Sequence, residues 1–183
     1  MSRADINEPE KTARARALCE AGQWPEALAF AEAWSVRNSA SAKALFYRGA
    51  ALASLGRLVE AETAYRRALA LDANDFKTWN NLAALLFEAM NRPVDAAKCL
   101  VQALQIDPGN AHGWTNLASM NGQLNRHAHA LDCAERALAI DPHMVEAHLH
   151  RARAALALGK TEVVRAASEA MANLPPEKFQ RTR

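Results

Sequence analysis

Apolar residues recur along this chain with the spacing of amphipathic helices, in segments of roughly 12 to 14 residues that are separated by short polar turns. Small residues at the expected helix crossings return at a nearly constant interval: Ala27, Ala61, Ala96 and Ala130 are separated by 34, 35 and 34 residues. Because one helical hairpin cannot bury its apolar face alone, such repeats stack on their neighbours. The pattern therefore predicts an all-α solenoid of helical hairpins.

Other features of the chain follow the same period. The segment WNNLA at 79–83 returns 35 residues later as WTNLA at 114–118, and the Asp-Pro pairs at 107–108 and 141–142 are 34 residues apart. Proline disfavours helix in the residue before it, so these pairs should end helices. Gly22 and Gly56, also 34 apart, should take the left-handed turn conformation. Asn91 and Asn125 are the candidates for that conformation in the third and fourth hairpins.

These markers together resemble the tetratricopeptide repeat (TPR) family, and the resemblance covers nearly the whole chain. It implies a right-handed α–α superhelix of five hairpins. We place the repeats at 8–41, 42–75, 76–110, 111–144 and 145–178, with an N-terminal extension at 1–7 and a tail at 179–183. The third repeat carries one extra residue near 90–93, and the first and fifth repeats depart most from the family pattern.

Composition narrows the possible functions. A charged fraction of 23% and a net charge of +2 do not favour a nucleic-acid partner. The chain has no long apolar run, no export signal and no CxxC pair, which predicts a cytoplasmic protein without a membrane or disulfides. No nucleophile motif, phosphate loop or dinucleotide fingerprint occurs, so neither catalysis nor a cofactor is expected. The six histidines lack metal-ligand spacing and are interpreted as solvated turn and groove residues.

The resemblance implies that the first helix of each repeat lines a concave groove that binds a peptide or protein segment. Asn81 and Asn116 occupy the same place in consecutive repeats, similar to the asparagine ladder of O-GlcNAc transferases, although a local bond or simple solvation is the alternative. The carboxylate clamp of chaperone adaptors is not expected, because Glu146 and His150 stand where its cations should be. The candidate binding residues are Lys43, Tyr47, Lys77, Asn80, Asn81, Asn116, Ser119, His150 and Arg153.

Three hypotheses follow. The first is a non-catalytic scaffold or adaptor that binds a peptide or protein segment. The second is the substrate-binding region of a larger enzyme, such as a protein O-glycosyltransferase. The third is a structural module that self-assembles as a homo-oligomer through its terminal repeats.

Overall fold

The computed structural model describes residues 7–175, and within that range the chain is all-α. Ten α-helices and one π-helical turn account for its regular structure. None of these helices combines the length and the apolar character needed to cross a membrane. The helices are α1 Glu8–Glu20, α2 Trp24–Arg37, α3 Ala42–Ser54, α4 Leu58–Leu71, α5 Phe76–Ala84, α6 Pro93–Ile106, α7 Ala111–Gln123, α8 His127–Ile140, α9 Val145–Ala157 and α10 Thr161–Ala172.

The chain divides into two compact units, which meet in sequence between Met90 and Asn91. In the first unit each helix from α1 to α4 packs against the next one along the chain, as does α4 against α5. In the second unit the same holds for α6 through α10, and α7 also packs against α9. The division falls at the hinge of the predicted third repeat. The extension at 1–7 and the tail at 179–183 lie almost entirely outside the described residues.

Polar side chains fix where most first helices of the repeats begin. The oxygens of Asn7, Ser41, Asp75 and Asn110 each accept a hydrogen bond from a backbone amide two or three residues later, at 2.8–3.2 Å. Such caps satisfy amides that have no partner within the helix. The caps recur at intervals of 34, 34 and 35 residues, so this signal was present in the sequence.

The hinge inside each hairpin is a single residue with positive φ. Glycine fills it three times, and the predicted left-handed asparagines are confirmed, with φ of 50° at Asn91 and 56° at Asn125. Asparagine tolerates this conformation better than most residues. The five hinges are Gly22, Gly56, Asn91, Asn125 and Gly159.

A ring nitrogen ties the start of three first helices to the preceding turn. Trp79 and Trp114 each donate a hydrogen bond to the carbonyl six residues earlier, at 2.9 Å. His148 takes the equivalent place, with its Nε2 2.9 Å from the carbonyl of Pro142. The interpretation of His148 as a solvated residue was therefore wrong, because the imidazole replaces the indole in a packing role and is buried.

The extra residue of the third repeat lies within its first helix, earlier than the sequence predicted. The helix continues beyond α5 as a π-helical turn at Leu85–Ala89, in which the amide of Met90 donates to the carbonyl of Leu85, five residues back. The equivalent amides of Leu55 and Leu124 donate four residues back. A π-turn accommodates one inserted residue without breaking the helix. It therefore changes the side chains presented just before the hinge.

The predicted packing role of Cys99 and Cys133 agrees with their burial on equivalent faces of α6 and α8. Burial raises the pKa of Cys133 to about 11, so this thiol stays protonated at neutral pH. No group of three His, Cys, Asp or Glu side chains converges on a metal-sized site within residues 7–175.

Candidate functional site

The first unit contains an aromatic cleft with a volume of about 500 Å³. It lies among the hinge after α1, helices α3, α4 and α5, and the π-turn. We use the name aromatic cleft for the pocket lined by Cys19, Trp24, Phe46, Tyr47, Ala50, Ala53, Ser54, Tyr65, Asn81, Ala84, Leu85, Glu88 and Ala89.

The aromatic wall depends on a close helix crossing between α3 and α4. Gly49 faces the Tyr65 ring so closely that a Cβ atom at residue 49 would lie 2.7 Å from two ring carbons. Tyr65 also packs against Phe46, with ring centroids 6.1 Å apart, and Phe46 meets Tyr47 edge-on at 5.1 Å. Edge-on and tilted ring pairs of this kind are attractive beyond their buried area. The rings therefore form a rigid wall.

Polar groups are few in the aromatic cleft. The half-buried Asn81 side chain forms a hydrogen bond with the Tyr65 hydroxyl. Burial raises the pKa of Tyr65 well above its ordinary value, and the bond from Asn81 acts in the opposite direction. Glu88 is the one charged residue in the described lining. Asn81 thus has a local partner, which agrees with the alternative to the asparagine ladder at this residue.

The π-turn contributes directly to the aromatic cleft. Leu85, Glu88 and Ala89 all belong to it and all line the cleft. The inserted residue rotates the last turn of the helix, so these side chains differ in direction from those of a regular repeat. π-turns often occur at functional sites.

The second unit contains a smaller, cationic cleft of about 220 Å³ among α7, α8 and α9. Its floor is made of alanine and glycine, and its polar groups come from all three helices. The name cationic cleft refers to the pocket lined by Ala118, Ser119, Gly122, Gln123, His127, Ala130, His150, Arg153 and Ala154.

The two clefts occupy equivalent places in the repeat. Six lining residues of the aromatic cleft have counterparts in the cationic cleft that lie 69 residues later, which is the length of two repeats. The corresponding pairs are Ala50 and Ser119, Ala53 and Gly122, Ser54 and Gln123, Asn81 and His150, Ala84 and Arg153, and Leu85 and Ala154.

The structure sorts the predicted binding residues into three groups. Tyr47 and Asn81 line the aromatic cleft, and Ser119, His150 and Arg153 line the cationic cleft. The other predicted residues line neither, and among them Asn116 is exposed while its counterpart Asn81 is half-buried. The residues that line neither cleft are Lys43, Lys77, Asn80 and Asn116.

Sequence reasoning missed lining residues outside the first helices. Tyr65 comes from α4, and His127 begins α8. Trp24 was assigned to packing alone, yet it is half-buried and lines the aromatic cleft. The glycine at residue 49 opposite a tyrosine was a usable signal, because the later crossings carry alanine at 83, 118 and 152.

Comparison with known protein families places the chain clearly. The tetratricopeptide repeat models match residues 42–75 and residues 81–143, which together exceed half of the chain. These segments hold the second repeat and most of the third and fourth, where the period is most regular. A search of curated protein sequences finds no match.

Solved structures with the same fold cover almost the whole chain. MamA from Desulfovibrio magneticus RS-1 is similar with a TM-score of 0.80 and 18% identity, over 93% of this chain and 96% of that one. YrrB, described as a TPR protein with an unusual peptide-binding site, gives 0.78 and 16%, over 93% and 88%. PilF of Pseudomonas aeruginosa gives 0.79 and 19%, over 94% and 76%. At this identity the similarity confirms the predicted all-α TPR fold.

Proposed function

Because the chain belongs to the tetratricopeptide repeat family, we propose that it is a non-catalytic adaptor that binds a segment of another protein. The observation that carries this proposal is the aromatic cleft, which lies on the first-helix side predicted to bind. YrrB, a protein of the same fold, is described as having a peptide-binding site, which supports a peptide as the ligand class.

The chemistry of the aromatic cleft favours an apolar or aromatic anchor side chain. Its walls are the rings of Trp24, Phe46, Tyr47 and Tyr65, and its volume suits one large side chain with part of the adjoining backbone. Burying a Leu or Phe side chain contributes about 1.5–3 kcal/mol. A few such anchors commonly dominate binding to a protein surface.

Ala50→Leu tests this proposal by filling the aromatic cleft from the half-buried face of α3. A peptide phage library would be selected on the wild-type chain, and synthetic versions of the enriched peptides would be titrated by calorimetry. We expect enriched peptides to carry an apolar anchor and to lose tenfold or more in affinity for Ala50→Leu, because about 1.5 kcal/mol or more of anchor burial is blocked.

The matched control is Ala33→Leu, which adds the same side chain to an exposed position of α2 outside the cleft. It should bind the peptides like wild type. Thermal unfolding of both variants verifies that they remain folded. Equal affinity of the peptides for Ala50→Leu and wild type, or no enrichment at all, would contradict the proposal.

A further inference from the structure

The cationic cleft has unused positive charge at its mouth. Arg153 is exposed and forms no ion pair among residues 7–175, whereas Arg136, Arg151 and Arg165 of the same unit each lie within 4 Å of a carboxylate. An arginine beside a cleft without a protein partner retains its five donors for a ligand.

The neutral donors of the cationic cleft are also unused. The side chains of Ser119 and Gln123 on α7 make no hydrogen bond with any described residue, and the same is true of the His127 and His150 rings. No Asp or Glu belongs to the described lining. Hydroxyl, amide, imidazole and guanidinium groups therefore surround a space of about 220 Å³ from three helices.

The remaining lining residues leave room for a small charged group. Ala118, Gly122, Ala130 and Ala154 form an apolar floor, and a Cβ atom at Gly122 would meet nothing within 4 Å. A planar guanidinium can hold a carboxylate or phosphate through two parallel hydrogen bonds. The low-polarity floor strengthens such a contact relative to open water.

From this convergence of unpaired donors, we infer that the cationic cleft binds an oxyanion, the carboxylate or phosphate group of an acidic or phosphorylated residue. Arg153 supplies the bidentate contact, and Ser119 and Gln123 complete the set of donors. The assignment to a residue of a bound protein segment rests on the proposed function, while oxyanion binding itself does not.

The charges around His150 agree with this assignment. Burial and then Arg153 lower the pKa of His150, and Glu146 on the same helix raises it. His127 lies across the cleft on α8, and α7 lines the cleft only with uncharged side chains. A bound oxyanion would favour the charged imidazole, so binding should raise the pKa of His150.

Histidine ring NMR at low ionic strength tests the inference with three acetylated and amidated tripeptides. Their central residue is Glu, phosphoserine or Gln, and they are titrated into the full chain at millimolar concentrations. We expect a saturable shift of the His127 and His150 signals with an acidic probe, a higher His150 pKa in its presence, and no shift with the Gln probe.

The variants are Arg153→Gln and, as a control, Arg165→Gln on α10 outside the cleft. Arg153→Gln should weaken the acidic probes tenfold or more, because a charge-assisted bidentate contact is lost, and Arg165→Gln should not. A stronger Glu probe identifies a carboxylate ligand, and a stronger phosphoserine probe identifies a phosphorylated one. Unsaturable shifts spread over all histidines, or probe binding unchanged in Arg153→Gln, would overturn the inference.

This result is separable from the test of the proposed function. Peptides that need the aromatic cleft, together with probes that ignore the cationic cleft, would leave the adaptor in place and remove the oxyanion site. The reverse outcome would keep the oxyanion site and remove the proposed peptide anchor.

Discussion

The aromatic cleft of the first unit and the cationic cleft of the second are built on the same backbone positions and present opposite chemistry. Asn81 and Ala84 in the first correspond to His150 and Arg153 in the second. The one charge lining the aromatic cleft is Glu88, whereas the cationic cleft is lined by arginine and histidine. The repeat conserves the shape of the scaffold and leaves the lining free to differ.

The difference begins in the packing beneath each cleft. The first unit pairs Gly49 with Tyr65 at the crossing, and the equivalent residues 69 positions later are Ala118 and Ala134, both buried. A tyrosine can cross a glycine closely and still project its ring into the cleft. Two alanines close the crossing without any ring, so the second cleft is smaller and is defined by its polar groups.

The largest expected effect is on the glycine–tyrosine crossing. Gly49→Ala should lower the free energy of unfolding by about 1–2 kcal/mol, because overpacking against the ring outweighs the helix-propensity gain of alanine. Urea denaturation measures it. In Gly113→Ala the new Cβ meets only the mobile end of Leu104, at 2.9 Å, so this control should stay within about 0.5 kcal/mol of wild type.

The same crossing can be converted to the alanine pair of the second unit. In a Tyr65→Ala background, Gly49→Ala should no longer destabilise, because the ring it displaced is gone. An equal loss of stability in both backgrounds would show that the ring is not the cause, and the comparison of the two crossings would fail.

A smaller effect is expected at the paired asparagines. Asn81→Ala removes the hydrogen bond to Tyr65 and should cost about 0.5–1.5 kcal/mol. Asn116 is exposed, so Asn116→Ala should change the free energy of unfolding by less than about 0.5 kcal/mol. Urea denaturation of both variants gives the comparison. Equal losses would mean that the two asparagines share one role, as the asparagine ladder predicted.

The smallest expected effect is on the titration of His150. Arg153→Gln should raise the pKa of His150 by removing a like charge, and Glu146→Gln should lower it further. NMR titration of the ring measures both. Because the folded-state pKa is lowered, the unfolded chain binds the proton more readily, and stability should fall as the pH drops through about 6.5. Arg153→Gln should weaken that dependence, and opposite shifts would place the charges wrongly.

Local signals made much of the fold predictable. The spacing of alanines gave the hairpin period, the Asp-Pro pairs gave two helix ends, and Asn91 and Asn125 were assigned to the left-handed hinges that they occupy. Each of these features depends on a few neighbouring residues. The π-turn was placed too late, because the sequence shows only that one residue is extra and not which hydrogen bonds absorb it.

The lining of the clefts was predictable only in part. First-helix positions such as Asn81 and His150 follow from helix periodicity, but Tyr65 and His127 come from second helices whose approach depends on side-chain volume at the crossing. The sequence by itself therefore determined the repeat, the hinges and the family. Only the tertiary structure decided which side chains meet in each cleft, because that depends on how closely two helices pack and on which hydrogen bonds their side chains have already made.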